Sequence, residues 1–162
     1  MNFNHKTIYV FSDPAGGNSI SSLIDELLNI GKIPNLNFKV YTNFEGIIHS
    51  SYEEVINRIE NNPTNILEEI LNFKPELIFT TTSNNNFEHY WRVHAKLLNV
   101  KVISFVDHWT GIRNRFNFKG EEFFPDIIYV IDKRACEIAI KDGIPSELIK
   151  TLSNPYYKKV KN

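Results

Sequence analysis

The chain has 162 residues, enough for one ordinary domain that buries its own core without disulfides or structural metals. Its 18 Lys and Arg against 19 Asp and Glu leave a net charge of −1, so no global field draws it to nucleic acid or to a lipid surface. The single cysteine, Cys136, excludes an internal disulfide framework and a Cys-rich zinc site, and it fits a reducing compartment.

Residues 1–6 are mostly polar and lead straight into an apolar strand, without the long apolar stretch of a signal peptide. No apolar run nears the roughly 20 residues that a membrane span requires. A cytoplasmic location without a membrane span is therefore expected.

Residues 7–11 (TIYVF) are apolar, β-branched and aromatic, which predicts a buried strand. Ser12 to Asn18 carries Asp13, Pro14, Gly16 and Gly17 and reads as a glycine-bearing turn. Ile20, Leu23, Ile24, Leu27 and Leu28 then have helix spacing, and Gly31 is a natural stop. Residues 38–41 (FKVY) predict a second strand. Between Asn43 and Asn62, Val55, Ile56 and Ile59 suggest a short helix. Asn62-Pro63 starts the next helix, because Asn caps and Pro tolerates the first helical position.

Residues 77–82 (LIFTTT) predict a third strand, and a helix follows over about residues 87–98, with Glu88 and Arg92 at i,i+4. Residues 100–106 and 127–131 are the fourth and fifth strands, separated by an irregular stretch from Thr110 to Phe124. Residues 134–141 predict a helix, and Ser146 starts a last turn before Ile149. Strands alternating with helices imply a Rossmann-like three-layer α/β/α domain with a mostly parallel sheet of five or six strands. The domain is expected over residues 1–152, with 153–162 as a tail.

Open parallel sheets bind ligands at the carboxyl ends of their strands. Three clusters lie there. In the first, Asp13, Gly16, Gly17 and Asn18 allow close backbone approach and offer a helix N-terminus to an anion or a sugar hydroxyl. The same residues equally suit a tight turn capped by Asp13 or Asn18. Neither a dinucleotide fingerprint nor a P-loop is present. In the second, Thr80, Thr81, Thr82 and Ser83 carry hydroxyls that can hold a ligand or cap the next helix. The third is the densest: Asp107, His108 and Trp109, with Arg113 and Arg115 behind them. Asp107 or His108 can serve as a general base on a hydroxyl, Trp109 can stack on a sugar ring, and the arginines can hold a phosphate or carboxylate. The alternative is an Asp–Arg structural pair with Trp109 and Phe116 as loop core. His89 and His94 are five apart, which spreads them over different helix faces. No metal site and no cofactor are expected.

Several stretches resemble the N-terminal domain of GT-B-fold glycosyltransferases and of the related UDP-N-acetylglucosamine 2-epimerases. Asp13-Pro14-Ala15-Gly16-Gly17-Asn18 is similar to their glycine-bearing loop after the first strand. Phe73-Lys74-Pro75-Glu76-Leu77-Ile78 looks like their entry into a central strand. The strand ending at Asp107 and the Pro125-Asp126-Ile127 strand match in order, as do Gly143-Ile144-Pro145 and Ser153-Asn154-Pro155, with Ser153 in place of the usual glycine.

The resemblance implies that Asp107 or His108 sits at the position of a base or acceptor-binding residue, and that Gly16, Gly17 and Asn18 line the cleft. It also implies that the donor-binding second domain is absent from this sequence. The expected function is the acceptor-binding half of a bacterial glycosyltransferase for surface polysaccharide or glycan synthesis, inactive alone and completed by a partner chain or by self-association. The alternative is a stand-alone module that binds a nucleotide, sugar or phosphate without catalysis. A receiver-like domain is disfavoured, because the third strand ends in Thr82-Ser83 and not in an acceptor Asp.

Overall fold

The computed structural model describes residues 5–31, 37–46 and 53–161, so His49 and part of the stretch before Asn62 lie outside the described residues. Seven parallel strands form one sheet in the order β3-β2-β1-β4-β5-β8-β9. They are β1 (Thr7–Phe11), β2 (Phe38–Thr42), β3 (Ile56–Arg58), β4 (Leu77–Thr80), β5 (Lys101–Val106), β8 (Ile127–Val130) and β9 (Ile149–Thr151). A separate antiparallel pair, β6 (Asn117–Phe118) and β7 (Glu121–Glu122), lies in the loop between β5 and β8.

Alternation along the strands decides which helix covers which face. Tyr9 and Phe11 point to one side and pack with α1 (Pro14–Asn29) and α4 (Lys133–Lys141) through Ile20, Ile24, Leu27, Ala135 and Ala139. Ile8 and Val10 point to the other side, where α2 (Pro63–Phe73) and α3 (Phe87–Leu97) supply Ile66, Ile70, Phe87 and Trp91. Both faces are covered, which is why all five residues of β1 are buried and apolar positions run without a break. The three-layer α/β/α architecture follows directly.

Four expectations are corrected. The sheet has seven strands and not five or six, because two three-residue edge strands, β3 and β9, extend it. Val55 ends a 3-10 turn and Ile56 begins β3, so no helix forms around Val55, Ile56 and Ile59. Only Ile56 of β3 is buried, and one apolar contact per three residues carries no period to read. The third strand stops at Thr80, leaving Thr81 and Thr82 beyond the ladder.

Finally, α1 begins at Pro14 and not at Ser19. Asp13 caps it by accepting from the Gly16 N–H at 2.7 Å, so both glycines sit inside the first turn. The stretch from Thr110 to Phe124 also holds a short hairpin, turned by Lys119 (φ 52°) and Gly120 (φ 83°). Residues 155–161 form α5 (Pro155–Lys161), which lies on α1 with Lys158 2.6 Å from Glu26 and Lys159 2.9 Å from Asp25.

Candidate functional site

The chain runs from β1 outward to β3, then crosses back to place β4 on the other side of β1. The strand order therefore reverses between β1 and β4, and the loops leaving these strands diverge there. Val10 pairs with Thr80 and Thr80 with Ser104. Asp13, Ser83 and Asp107 each follow these paired positions on three neighbouring strands by three residues. The loops that carry the three sequence clusters therefore all leave the sheet at its carboxyl edge, where Ser12 Oγ and Ser83 Oγ make contact.

A buried carboxyl closes the floor of this crevice. Glu88, in the first turn of α3, is 1 % exposed. Its Oε2 lies 2.6 Å from Ser12 Oγ and 2.8 Å from Ser83 Oγ, and its Oε1 lies 3.2 Å from Thr81 Oγ1. Ser12 and Ser83 are themselves 2.5 Å apart. These four contacts need four protons, and three hydroxyls carry only three. A protonated Glu88 would supply the fourth. Burial indeed raises its pKa, against the opposing pull of Ser12, Ser83 and the nearby Arg92 charge. Sequence inspection gives Glu88 and Arg92 only as a favourable i,i+4 pair. Their burial was legible only as an amphipathic pattern in which the apolar face of α3 also carries these two charges.

Gly16 meets the crevice from the β1 side. A Cβ there would lie 2.5 Å from Thr81 Oγ1, so only glycine lets α1 seat against the end of β4. Asp13 already takes the Gly16 N–H and the Asp13 carbonyl takes the Gly17 N–H, so both glycine N–H groups are bonded within this helix end. Thr82 Oγ1 is buried without a partner, whereas its carbonyl accepts from Arg115 Nη1 at 3.0 Å.

At the end of β5, His108 Nε2 stands 3.6 Å from Asp107 Oδ1. The His108 side chain is 53 % exposed and that of Asp107 is 17 % exposed, so the pair faces open solvent from a sheltered carboxylate. Trp109 turns away from them and donates its indole N–H to Asp132 Oδ2 at 2.9 Å; Asp132 caps α4 through the Ala135 N–H. The two arginines separate. Arg113 holds Glu122 through Nε at 2.5 Å and Nη2 at 3.0 Å, and holds the Asp142 carbonyl at 2.9 Å. Arg115 points back under the crevice to Thr82.

A polar cavity of about 310 Å³ lies beside the crevice, between the start of α3 and residues 110–118. Arg92, Arg115, His89, Ser83 and Asn114 are among its lining residues. His89 packs on Phe118 at 4.5 Å, and burial pushes its pKa down to about 4, with the Arg92 charge adding to the effect. Among the described residues, no group of three His, Cys, Asp or Glu side chains is placed to hold a metal ion. No helix among them is long and apolar enough to cross a membrane.

No protein-family model matches the chain, and no curated protein does so. Solved structures do. UDP-GlcNAc 2-epimerase from Neisseria meningitidis bound to UDP-GlcNAc superposes with a TM-score of 0.64 at 14% identity, over 96% of this chain and 49% of that one. The HepE protein of Anabaena in complex with UDP-glucose gives 0.63 at 14% identity, over 91% and 43%. UDP-N-acetylglucosamine 2-epimerase from Rickettsia bellii gives 0.63 at 13% identity, over 96% and 46%. The chain spans about half the length of these structures, and what it shares with them is the Rossmann-like α/β fold of one half.

Proposed function

We propose that this domain is the acceptor-binding half of a glycosyltransferase or epimerase-like sugar-nucleotide enzyme, and that a second domain or chain supplies the donor pocket. The observation that carries this reading is the shared sheet edge. Asp13, Ser83 and Asp107 follow three neighbouring strands beside the point where strand order reverses, on a fold whose solved relatives were captured with UDP-sugars. In this reading Asp107 or His108 accepts the proton of an acceptor hydroxyl; a sheltered carboxylate beside an exposed imidazole suits that task. Asp13 and Asn18 bond sugar hydroxyls, Thr82 Oγ1 offers a buried unpartnered group, and Gly16 and Gly17 keep the wall close.

The test is a thermal-shift screen against UDP-, GDP-, CDP- and dTDP-sugars and free acceptor sugars, with Asp107→Ala beside the wild type. A ligand held at about 100 times its Kd stabilises by about 2.7 kcal/mol, which is readily seen. A shift lost in Asp107→Ala supports the assignment. A shift that survives it moves the site off the β5 end. No turnover in the presence of any candidate partner, despite sugar binding, would leave a binding module without catalysis.

A further inference from the structure

Arg92 is 2 % exposed on the inner face of α3. A guanidinium has five N–H donors, and burying one without enough acceptors is costly. Here Nη1 reaches Thr80 Oγ1 at 3.5 Å and Nη2 reaches the Arg115 carbonyl at 3.3 Å, both long. The ring of Phe116 lies 5.4 Å below the guanidinium. Glu88, one turn earlier, is a nearby carboxyl, but its oxygens are held by Ser12, Thr81 and Ser83. Arg92 Nε is left buried with no partner at all. Buried donors without partners are rare enough to need a cause.

The polar cavity of about 310 Å³ adjoins this under-satisfied guanidinium, because Arg92 forms part of its wall. Arg115 is a second cation in that wall, and no carboxylate belongs to it. Asn84, Asn85 and Asn86, at the start of α3, add amide side chains to the wall, with Asn85 Oδ1 accepting from the Phe87 N–H at 2.9 Å. Two guanidiniums and several amide side chains, with no carboxylate in the wall itself and the nearby Glu88 carboxyl turned to Ser12, Thr81 and Ser83, form a lining that favours negative charge. The volume is at the small end for ligand pockets and suits a monosaccharide-sized group.

We propose that this cavity binds an oxyanion, the phosphoryl or carboxylate group of a small ligand, with Arg92 and Arg115 as its cationic donors. This goes beyond the acceptor site at Asp107, since it rests on different residues.

The test titrates the full chain with inorganic phosphate, with glucuronate and with neutral N-acetylglucosamine, following the Arg92 and Arg115 Nε–H signals by NMR. Phosphate or glucuronate should shift the Arg92 signal saturably, and the neutral sugar should not. A response to phosphate alone identifies a phosphoryl ligand, and one to glucuronate alone identifies a sugar acid. Arg115→Gln, at a half-buried position, should weaken anion affinity about tenfold or more, the loss expected for one charge-assisted hydrogen bond. Arg92→Gln should abolish it; should that variant not fold, the Arg92 signal of the wild type still decides. No saturable shift with either anion, as for a cavity filled only by water, overturns the proposal, and so does equal affinity in Arg115→Gln. Because the anion response is read at Arg92, it can fail while Asp107-dependent sugar binding holds, and the reverse.

Discussion

Gly16→Ala sets two effects of opposite sign against each other. In a helix, Ala is favoured over Gly by up to about 1 kcal/mol, and by less in the first turn. Against this, the new Cβ would lie 2.5 Å from Thr81 Oγ1, 3.0 Å from Thr81 Cβ and 3.2 Å from Asp13 Oδ1. Thr81 is 3 % exposed, its χ1 is stiff, and rotating its hydroxyl away breaks the 3.2 Å bond to Glu88. Overpacking of this kind costs about 1–3 kcal/mol, and a broken hydrogen bond adds about 1 kcal/mol. The clash wins, and Gly16→Ala should be destabilised by about 1–3 kcal/mol. Urea unfolding reads this as a lower midpoint at unchanged slope. Thr81→Ala removes the nearest atom, so the double variant should cost less than the two single variants together, by at least about 0.5 kcal/mol. Equal or greater stability of Gly16→Ala, or strict additivity with Thr81→Ala, would refute the close-approach argument.

Glu88 makes a pH prediction. Burial holds its pKa above the usual 4.5, so the folded state binds the proton more tightly than the unfolded chain does. Its contribution to stability is then full below pH 4.5 and is lost as pH rises through the folded value. The wild type should therefore lose ground to Glu88→Gln as pH increases from 4.5, and a pH-independent difference between their unfolding free energies would contradict the protonated carboxyl. Arg113→Ala should leave the urea midpoint nearly unchanged, because an exposed ion pair contributes little to stability, and should leave sugar and anion binding intact. Ligand binding lost in that variant would return Arg113 to the site. Trp91 is fully buried and Trp109 is 40 % exposed, so Trp109→Phe should abolish acrylamide-quenchable fluorescence. Quenching that persists would mean α3 opens to solvent.

Local sequence was sufficient wherever a segment's own pattern is dictated by burial. Residues 7–11, 77–80 and 127–130 are short apolar runs that only a sheet covered on both faces requires, and each is a strand. Asn62-Pro63 starts α2 as its capping chemistry demands, with Asn62 Oδ1 accepting from the Thr64 N–H at 2.9 Å. The candidate site is legible as far as strand ends can be located, since Asp13, Ser83 and Asp107 each lie just beyond an apolar run. Edge strands β3 and β9 were not legible, because three residues with one buried side chain carry no period. Gly16 and Gly17 suggested a loop because glycine disfavours helices, whereas a Pro14 start and the Asp13 cap outweigh that preference in the first turn.

The remaining features depend on partners far apart in the chain. Glu88 meets Ser12 across 76 residues, and Arg115 reaches the Thr82 carbonyl across 33. Arg113 and Arg115 are two residues apart and of one chemical type, yet one clamps a surface hairpin and the other turns under the crevice. The sequence by itself determined an α/β domain with its polar groups placed after the strands, because periodicity and turn chemistry are local. Only the tertiary structure decided which of those groups are spent on one another and which face a cavity, because hydrogen-bond partnership is settled by the crossover that returns β4 to the side of β1.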